Sequence, residues 1–406
     1  MQDSADPALE ARVDEHIAAF RRGAVDLIEE TQLRNVLRGA LAAGRPLRIK
    51  FGMDPSSKDL HLGHGVQLMK LRDLQLLGHQ IVLIVGDATA MVGDPSGRNK
   101  LRPVLTRAQV EENLATYTQQ ASLILDMART EVRRNSEWFF TMGFDGILDL
   151  TTRMTVARML ERDTFQTRME AKEPIGINEF LYPLMQGWDS VKVEADVELG
   201  GTDQLFNLLV GRTLQEQEKQ RPQCVLTQDL INGLDGRKMS KSYDNAVGLT
   251  ADAKEMTFRV MQIADEVMET WFLYLTRLPE AEYKALLAGH PREAKVRLAH
   301  EITRFFHGED AAREAAERFE REVVRKELPD DLPTIAWDAA WGAGLALPNL
   351  LKELGLCAST SDARRQVDQG GVRLDGVVQT DKALVVARPA SPLLVQVGKK
   401  RAARLA

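Results

Sequence analysis

The chain has 406 residues, of which 44% are hydrophobic and 28% charged, the balance of a globular protein that buries substantial cores. Its longest apolar run, residues 81–85, is far below the ~18 residues of a membrane-spanning helix, and two distant cysteines, Cys224 and Cys357, argue against a disulfide framework or a cysteine zinc site. The net charge of −6 argues against a uniformly basic nucleic-acid binder, whereas residues 348–406 hold 10 Lys and Arg against 5 Asp and Glu. This asymmetry suggests a polyanionic partner, although chance variation in a small domain explains it about equally well.

Amphipathic helices are predicted over residues 8–43, where Leu27, Ile28, Leu33 and Leu37 recur at helical spacing. Residues 47–51 then alternate between apolar and polar, which predicts a strand. A loop over residues 52–57 follows. A helix is then predicted through residues 66–77, with Gly78 placed to end it.

A buried strand is predicted over residues 81–85, directly after that helix. The order of strand, loop, helix and strand is a βαβ unit. It predicts an α/β fold with a Rossmann-like parallel sheet, whose ligand crevice lies at the carboxyl ends of the strands.

The chain beyond this unit is predicted to be mainly helical until its last 60 or so residues. Helices are predicted over residues 107–130, 151–171 and 251–326, and a strand over residues 193–199. Residues 327–348, which contain three prolines, are predicted to be a linker with a little local structure. The final segment is predicted to hold helices over residues 349–356 and 362–369 and a hairpin that turns at Asp375-Gly376.

Two histidines stand at the start of the predicted helix, in the string His61-Leu62-Gly63-His64. Their spacing of three residues places both imidazoles on one face, and a helix N-terminus offers free N–H groups to phosphates. Gly63 would let a nucleotide lie against the backbone. The string is only four residues long, and two histidines in a polar loop are the competing interpretation.

A second string, GRKMSKS at residues 236–242, carries Lys238 and Lys241 three residues apart. Ammonium groups in such a Gly- and Ser-containing loop would meet the charge that develops on a leaving pyrophosphate. Basic surface loops are common, but this string is much less expected by chance than a generic cluster of cations.

Together, the HLGH and downstream KMSKS strings resemble the signature pair of class I aminoacyl-tRNA synthetases. The resemblance implies in-line attack of an amino-acid carboxylate on the α-phosphate of ATP, which gives aminoacyl-adenylate and pyrophosphate. It gives catalytic roles to His61, His64, Lys238 and Lys241. It also implies Mg²⁺ carried by the phosphates of ATP, with no dedicated metal site in the protein.

A polar stripe in residues 182–189 resembles the substrate-binding segment of the tyrosyl branch of this family. Tyr182, Gln186 and Asp189 are spaced i, i+4 and i+7, so they share one face if the segment is helical. The resemblance implies that Tyr182 and Gln186 bind the α-amino group of tyrosine, and that Asp189 accepts a hydrogen bond from the phenol. An amphipathic helix with a polar stripe is the competing interpretation.

Loops after the other strands extend the resemblance. Asp94 would complete the α-amino site, Asp203 would bind the ATP ribose and Gln204 would contact the substrate or its adenylate. The complete set implied for ATP is Gly52, Asp54, Ser56, His61, Gly63, His64, Gly201, Asp203, Lys238, Lys241 and Ser242.

Lys50 departs from the pattern of many bacterial tyrosyl enzymes, which carry at this position a tyrosine that touches the substrate phenol. A second bacterial subgroup resembles this chain better over the catalytic region. Two orientations of Lys50 are open: it points into the pocket, or it lies on the solvent side of its strand.

The C-terminal segment resembles the RNA-binding domain named after the fourth small-subunit ribosomal protein. The resemblance rests on Leu347-Pro348, on a helix with Arg364 and Arg365, and on the turn GGVRLDG that contains Arg373. These three arginines would follow a phosphate backbone. A final basic cluster either joins them or forms a solvated tail: Lys399, Lys400, Arg401 and Arg404.

The resemblance covers nearly the whole chain and implies four parts. These are a class I catalytic domain (1–246), a helical anticodon-side domain (247–330), a linker (331–346) and the RNA-binding domain (347–406). The implied partners are tRNA-Tyr, L-tyrosine, ATP and a second copy in a homodimer, with no membrane. The first residues lack the pattern of a secretory signal and the cysteines are few, so we expect a cytoplasmic protein.

Three other functions share some of these features. The tryptophanyl branch has the same fold and strings, but the phenol-directed Asp189 argues against it. An RNA-binding protein that has lost synthetase activity would show damage to the two strings, and both are intact. A small-molecule nucleotidylyltransferase also uses a histidine string, but it needs neither the lysine string nor a basic RNA module.

Overall fold

The computed structural model describes residues 6–55, 58–96, 106–328, 332–399 and 401–406. The chain divides into two compact units, residues 1–312 and residues 313–406. Each unit has its own hydrophobic core.

Six strands form one sheet in the described part of the first unit. They are β1 (Asp26–Ile28), β2 (Arg48–Met53), β3 (Gln80–Val85), β4 (Thr130–Arg134), β5 (Val197–Gly201) and β6 (Cys224–Gln228). Their order is β1-β6-β5-β2-β3-β4, with β1 antiparallel to β6 and the other pairs parallel. The predicted α/β fold with a parallel sheet is confirmed.

Helices cover both faces of this sheet. They are α1 (Pro7–Arg21), α2 (Glu30–Ala42), α3 (Leu62–Leu76), α4 (Arg107–Ala121), α5 (Ser136–Phe139), α6 (Phe144–Thr152), α7 (Val156–Met159), α8 (Asp163–Glu170), α9 (Leu181–Lys192) and α10 (Leu205–Gln217). Ile49 and Ile81 pack on one face in a core with Leu68 of α3, and Val82 packs on the other in a core with Leu184 of α9. Two covered faces are typical of a parallel sheet.

A run of helices follows the sheet. They are α11 (Ala253–Val260), α12 (Met268–Leu275), α13 (Glu280–Leu287), α14 (Pro291–His307) and α15 (Glu309–Phe319), and α15 crosses the boundary between the units. Met256, Trp271 and Ile302 belong to the same core cluster as the sheet. The separate helical domain over residues 247–330, like the other predicted domain boundaries, stays a prediction.

The second unit is small and mixed. Its elements are β7 (Thr334–Ile335), β8 (Gly344–Ala346), α16 (Leu347–Glu353), α17 (Thr360–Asp368), β9 (Val372–Leu374), β10 (Val377–Gln379), β11 (Val385–Ala387), β12 (Leu393–Val397) and β13 (Arg401–Leu405). Leu350, Val367 and Val395 lie in its core. The predicted hairpin is confirmed, because β9 and β10 pair through a turn in which Asp375 and Gly376 have φ of 45° and 82°.

Several predicted elements are wrong in type or length. Leu27 and Ile28 lie in β1, because Glu29 (φ 65°) separates them from α2 and they pair with β6. The helix predicted over residues 107–130 ends at residue 121, and the half-exposed edge strand β4 follows. The helix predicted over residues 151–171 is replaced by the last residues of α6 and by the short helices α7 and α8, and the strand predicted from residue 193 begins at residue 197. None of the described helices is long and apolar enough to cross a membrane.

Candidate active site

A cavity of about 250 Å³ lies at the carboxyl ends of β2, β3 and β5. Parallel sheets place their ligand crevices at this edge, because the loops that leave the strands meet there. The predicted site residues that line the cavity are Gly52, Asp54, His64, Asp94, Tyr182, Gln186, Asp189, Gly201, Asp203 and Gln204. The cavity therefore brings most of the predicted ATP and tyrosine residues together.

Asp189 is a buried carboxylate in the wall of the cavity, with 3% of its surface exposed. Trp138 donates its indole N–H to Asp189 Oδ1 (2.9 Å), and the Asn135 amide donates to Oδ2 (3.3 Å). Burial raises the pKa of Asp189 to about 7, and the positive charge of Lys50 and these two hydrogen bonds oppose the rise. Each carboxylate oxygen has a second lone pair, so Asp189 can accept another hydrogen bond from the cavity.

Tyr182 lies on the same helix, α9, as Gln186 and Asp189, so the condition under which these three residues share one face is met. The Tyr182 hydroxyl donates to Asp54 Oδ2 (2.9 Å), and the Thr89 hydroxyl donates to Asp54 Oδ1 (2.7 Å). Burial, followed by the negative charge of Asp54, raises the pKa of Tyr182 well above its ordinary value. The Tyr182 phenol therefore stays protonated.

A chain of amide side chains links the other predicted tyrosine residues. The Gln204 amide donates to Asp94 Oδ2 (2.9 Å), and the Asn207 amide donates to Gln204 Oε1 (2.9 Å) and to Gln186 Oε1 (3.0 Å). These bonds fix which atom each amide turns toward the cavity. The result is a group of acceptor oxygens that suits an ammonium group.

Arg162 lies behind Asp94 and was not predicted from the sequence. Its guanidinium is 3.6 Å from Asp94 Oδ1, and it stacks over the rings of Phe165 and Phe206. Burial lowers the pKa of Arg162, and the Asp94 carboxylate opposes the change.

The two predicted histidines form the N-terminal cap of α3. The N–H of Gly63 donates to His61 Nδ1 (3.1 Å), the N–H of His61 donates to His64 Nδ1 (3.2 Å), and the ring centroids are 4.0 Å apart. The prediction that both imidazoles share one face is confirmed. A Cβ at residue 63 would lie 2.9 Å from the His61 ring, so glycine is required there for the cap as well as for an open backbone.

The lysine loop lies against this cap. The N–H of Gly63 also donates to Met239 Sδ (3.2 Å). The Asn245 side chain holds the loop, because it accepts from the N–H of Ser240 (2.8 Å) and donates to the carbonyl of Lys238 (3.1 Å).

Lys238 acts electrostatically on the cavity from this loop. Partial burial and the charge of Asp94 raise the pKa of Asp203, and the positive charge of Lys238 opposes both effects. The hydroxyls of Ser240 and Ser242 are 2.8 Å apart on the exposed side of the loop.

Some predicted residues lie outside the described part of the structure. These are Ser56, the side chain of Lys241 and, in the basic tail, Lys400. Their roles stay predictions. Among the described side chains, no group of three or more His, Cys, Asp or Glu is placed to hold a metal ion.

The predicted RNA-binding arginines lie on the surface of the second unit. Arg364 and Arg365 are exposed on α17, and Arg365 pairs with Asp362 (2.6 Å). Arg373 is exposed on β9. Guanidinium groups in these positions are accessible to a polyanion.

Several residues of the site carry no recognisable sequence signal by themselves. Asn135 and Trp138 follow β4, so recognition of that edge strand would have placed them at the carboxyl edge of the sheet. Asn207 stands three residues after Gln204, which is one helical turn. Arg162 depends on tertiary contacts that the sequence does not indicate.

Comparison with known families decides which class of enzyme this site belongs to. A family model described as "tRNA synthetases class I (W and Y)" matches residues 42–323. The chain is a member of this family of class I tRNA synthetases. A second model, described as "S4 domain", matches residues 347–388 and confirms the predicted C-terminal RNA-binding domain.

Curated relatives resemble this class I synthetase over nearly its whole length. A tyrosine–tRNA ligase of Ralstonia nicotianae is 48% identical over 95% of this chain and 98% of the relative. A tyrosine–tRNA ligase of Cupriavidus pinatubonensis is 49% identical over 95% of this chain and 93% of the relative.

Solved structures share the fold. A C-terminally truncated mitochondrial tyrosyl-tRNA synthetase of Aspergillus nidulans has a TM-score of 0.62 at 24% identity, covering 76% of this chain and 93% of its own. The L-tyrosine complex of the Archaeoglobus fulgidus enzyme has a TM-score of 0.59 at 21% identity, covering 75% of this chain and 99% of its own.

Proposed function

We propose that the chain is a tyrosine–tRNA ligase. It activates L-tyrosine with ATP to form tyrosyl-adenylate and pyrophosphate, and it then transfers tyrosine to the 3′ end of tRNA-Tyr. The observation that carries the choice of tyrosine is the position of Asp189, a buried acceptor in the wall of a small cavity. The Asp189 carboxylate already receives two hydrogen bonds from the protein. The relatives that match nearly the whole chain bear the same name.

Tyrosine binds against the polar face of α9. Asp189 accepts the phenol O–H, and Tyr182 and Gln186 of the same helix bind the α-amino group together with Asp94. Gln204 contacts the bound amino acid or its adenylate. The acceptor oxygens that Asn207 orders, and the Asp94 carboxylate that Arg162 faces, support the ammonium end of this arrangement.

ATP lies along the loops that carry the two strings. Gly52 supports this position, because a Cβ there would meet no atom within 4 Å and the backbone is open to a ligand. The remaining contacts come from Asp54, Ser56, Gly63, Gly201, Asp203 and Ser242, together with the catalytic side chains. Mg²⁺ accompanies ATP on its phosphates.

The reaction needs charge stabilisation rather than an additional covalent intermediate on the protein. The tyrosine carboxylate attacks the α-phosphorus, the bond to the bridging oxygen of the β-phosphate breaks, and pyrophosphate leaves with that electron pair. His61, His64, Lys238 and Lys241 stabilise the negative charge that develops on the phosphates. A hydroxyl of the terminal ribose of the tRNA then attacks the adenylate carbonyl and releases AMP.

The second unit binds tRNA through Arg364, Arg365 and Arg373, which are exposed and cationic. The first unit forms a homodimer through an apolar stripe around α6. Phe144 and Leu148 stand one turn apart on this helix and are 79% and 53% exposed. The bacterial relatives and the free, buried cysteines Cys224 and Cys357 support a cytoplasmic location.

Aminoacylation of transcribed tRNAs tests this function. We expect labelled tyrosine to be attached to a tRNA-Tyr transcript, and no labelled tryptophan to be attached to a tRNA-Trp transcript. Attachment of tryptophan alone would show that the chain belongs to the tryptophanyl branch of its family.

A further inference from the structure

An ion pair with no exposed surface lies beneath the proposed tyrosine site. Lys50 Nζ is 2.8 Å from Glu198 Oε1, and both side chains are 0% exposed. The two residues are paired in register on the parallel strands β2 and β5. Burial of two charges is costly, and an apolar pair of the same volume is often at least as stable, so stability alone does not account for this pair.

The ammonium of Lys50 holds the turn of α9 that carries Asp189. It donates to the carbonyl of Gln186 (2.6 Å) and to the hydroxyl of Ser190 (2.8 Å), in addition to Glu198. These contacts use all three N–H donors of the lysine. Because Gln186 and Ser190 stand on either side of Asp189, the position of Asp189 depends on Lys50. Both orientations considered from the sequence are therefore replaced by a third, in which Lys50 lies under the pocket wall.

Lys50 also controls the charge of Asp189. Among the charged or titratable groups that act on Asp189 are Lys50 from β2 and Glu198 from β5, with the Tyr182 phenol on its own helix. Lys50 lowers the pKa of Asp189, whereas Glu198 and burial raise it. An ionised carboxylate accepts the phenol O–H more strongly than a protonated carboxyl does, because the hydrogen bond is then charge-assisted. The Lys50 charge therefore favours the form that binds tyrosine more tightly.

Glu198 reaches the other end of the tyrosine site. Its Oε1 accepts from the Gln186 amide (3.3 Å), and its Oε2 accepts from the Ser190 hydroxyl (2.9 Å). A carboxylate cannot donate, so it fixes the NH₂ group of Gln186 toward itself. The Gln186 oxygen is then left for Asn207 and the substrate.

We propose that Lys50 and Glu198 are positioning residues for tyrosine selection, the first through Asp189 and the second through Gln186. This inference rests on the proposed assignment of Asp189 and Gln186 to the tyrosine site. Neither residue of the ion pair lines the cavity, so both act through the residues above them.

Three variants test the proposal: Lys50→Met, Glu198→Gln and the double variant. Pyrophosphate exchange is measured against pH, with separate KM values for tyrosine and ATP. Lys50→Met removes a positive charge near Asp189, so we expect the acid limb of kcat/KM for tyrosine to move to higher pH. Glu198→Gln removes a negative charge, so we expect the limb to move to lower pH.

We also expect Lys50→Met to raise the KM for tyrosine at least tenfold, with the KM for ATP within twofold. Lys70→Met is the matched control, because Lys70 is also a buried lysine, but it donates to the main-chain carbonyls of Ala19 and Phe20 outside the cavity. We expect it to lower the Tm and to leave the acid limb in place.

In the double variant we expect the two opposed shifts to offset each other. Two outcomes overturn the proposal. One is an acid limb that stays fixed in a folded Glu198→Gln variant, and the other is an equal rise of both KM values in Lys50→Met. If Lys50→Met does not fold, Glu198→Gln still decides. An unchanged limb in a Glu198→Gln enzyme that uses tyrosine contradicts only this inference, whereas a wild-type protein without tyrosine-dependent exchange contradicts the proposed function.

Discussion

The backbone N–H of Gly63 donates to Met239 Sδ at 3.2 Å, which joins two strings that lie 176 residues apart. Gly63 is in the first turn of α3, where free N–H groups attract negative charge. Met239 is 4% exposed and stands next to Lys238. The contact therefore brings the lysine loop to the end of the helix at which we propose that the ATP phosphates bind.

Replacement of either lysine in this loop is predicted to slow activation without loss of tyrosine binding. For Lys238→Ala and for Lys241→Ala we expect the rate of adenylate formation to fall about 10²–10³-fold, as on removal of one oxyanion-stabilising group. The tyrosine Kd should stay within about twofold, because both cations act on the phosphates. Single-turnover kinetics and equilibrium binding measure the two quantities.

Arg237→Ala is the control for this loop. Arg237 pairs with Asp235 and stacks on Tyr243, away from the cap of α3. We expect a change of less than about fivefold in the activation rate. Equal losses of rate and of tyrosine affinity in the lysine variants would contradict a role in the transition state.

Tyrosine affinity is predicted to depend on the ionisation of Asp189. Its pKa is raised to about 7, so the carboxyl takes up a proton as the pH falls through 7 and becomes a weaker acceptor for the phenol O–H. Affinity should therefore rise between pH 6 and pH 8. Asp189→Asn should weaken binding about 10- to 100-fold at pH 8, which corresponds to the ~1–3 kcal/mol cost of a mispaired buried group, and should abolish the pH dependence.

Calorimetry from pH 5.5 to 8.5 measures this dependence. Asp196→Asn provides the control, since Asp196 is also buried but pairs with Arg45 and Arg221 outside the cavity. The Asp196→Asn variant should show the same rise in tyrosine affinity with pH as the wild type. A rise of the same size in Asp189→Asn would show that another group titrates.

Transfer of tyrosine to tRNA is predicted to depend on the second unit, whereas activation of tyrosine is predicted to be independent of it. A variant with Arg364, Arg365 and Arg373 changed to alanine should bind tRNA with a shallower dependence of log K on log salt. The slope should fall by about 1 for each arginine that neutralises a phosphate in the wild type. Pyrophosphate exchange should stay unchanged in this variant. Deletion from Pro348 onward should also leave pyrophosphate exchange unchanged, and it should reduce transfer to tRNA more strongly than the triple variant does.

Arg388→Ala, which changes another exposed arginine of this unit, is the control for the triple variant. We expect it to keep the salt dependence of the wild type. Normal charging of tRNA by the deletion variant would contradict the assignment of the second unit.

The apolar stripe on α6 is predicted to hold two copies together. Phe144→Asp combined with Leu148→Asp places two charges in the proposed interface, and we expect the protein to sediment as a monomer where the wild type sediments as a dimer. Val377→Asp changes a residue that is 63% exposed on β10 and should leave the dimer intact. A wild-type monomer would contradict the proposed homodimer. A dimer in the double variant would show that α6 does not form the interface.

The sequence was sufficient for the elements whose patterns are strong. The predicted strands at 47–51 and 81–85 and the intervening helix were correct, because buried parallel strands are apolar and Gly78 ends the helix with φ of 90°. The strands β1 and β4 were missed, because they are edge strands with half-exposed residues and weak alternation. Their pairing depends on partners elsewhere in the chain.

Site residues divide in the same way. Asp189 and Tyr182 were predicted, because their spacing on one helix and the family resemblance both point to them. Lys50 lies in a strand whose alternation does not distinguish a buried charge from a solvated one. Its partner Glu198 is far away along the chain, and only the pairing of β2 with β5 brings the two together.

The most direct test of this account is amino-acid-dependent exchange of labelled pyrophosphate into ATP, with each standard amino acid supplied in turn. In the proposed mechanism this reaction requires the histidine cap, the lysine loop and the amino-acid site together, and it does not require tRNA. We predict exchange with tyrosine and with no other amino acid. Exchange with tryptophan, or no exchange with any of them, would contradict the account.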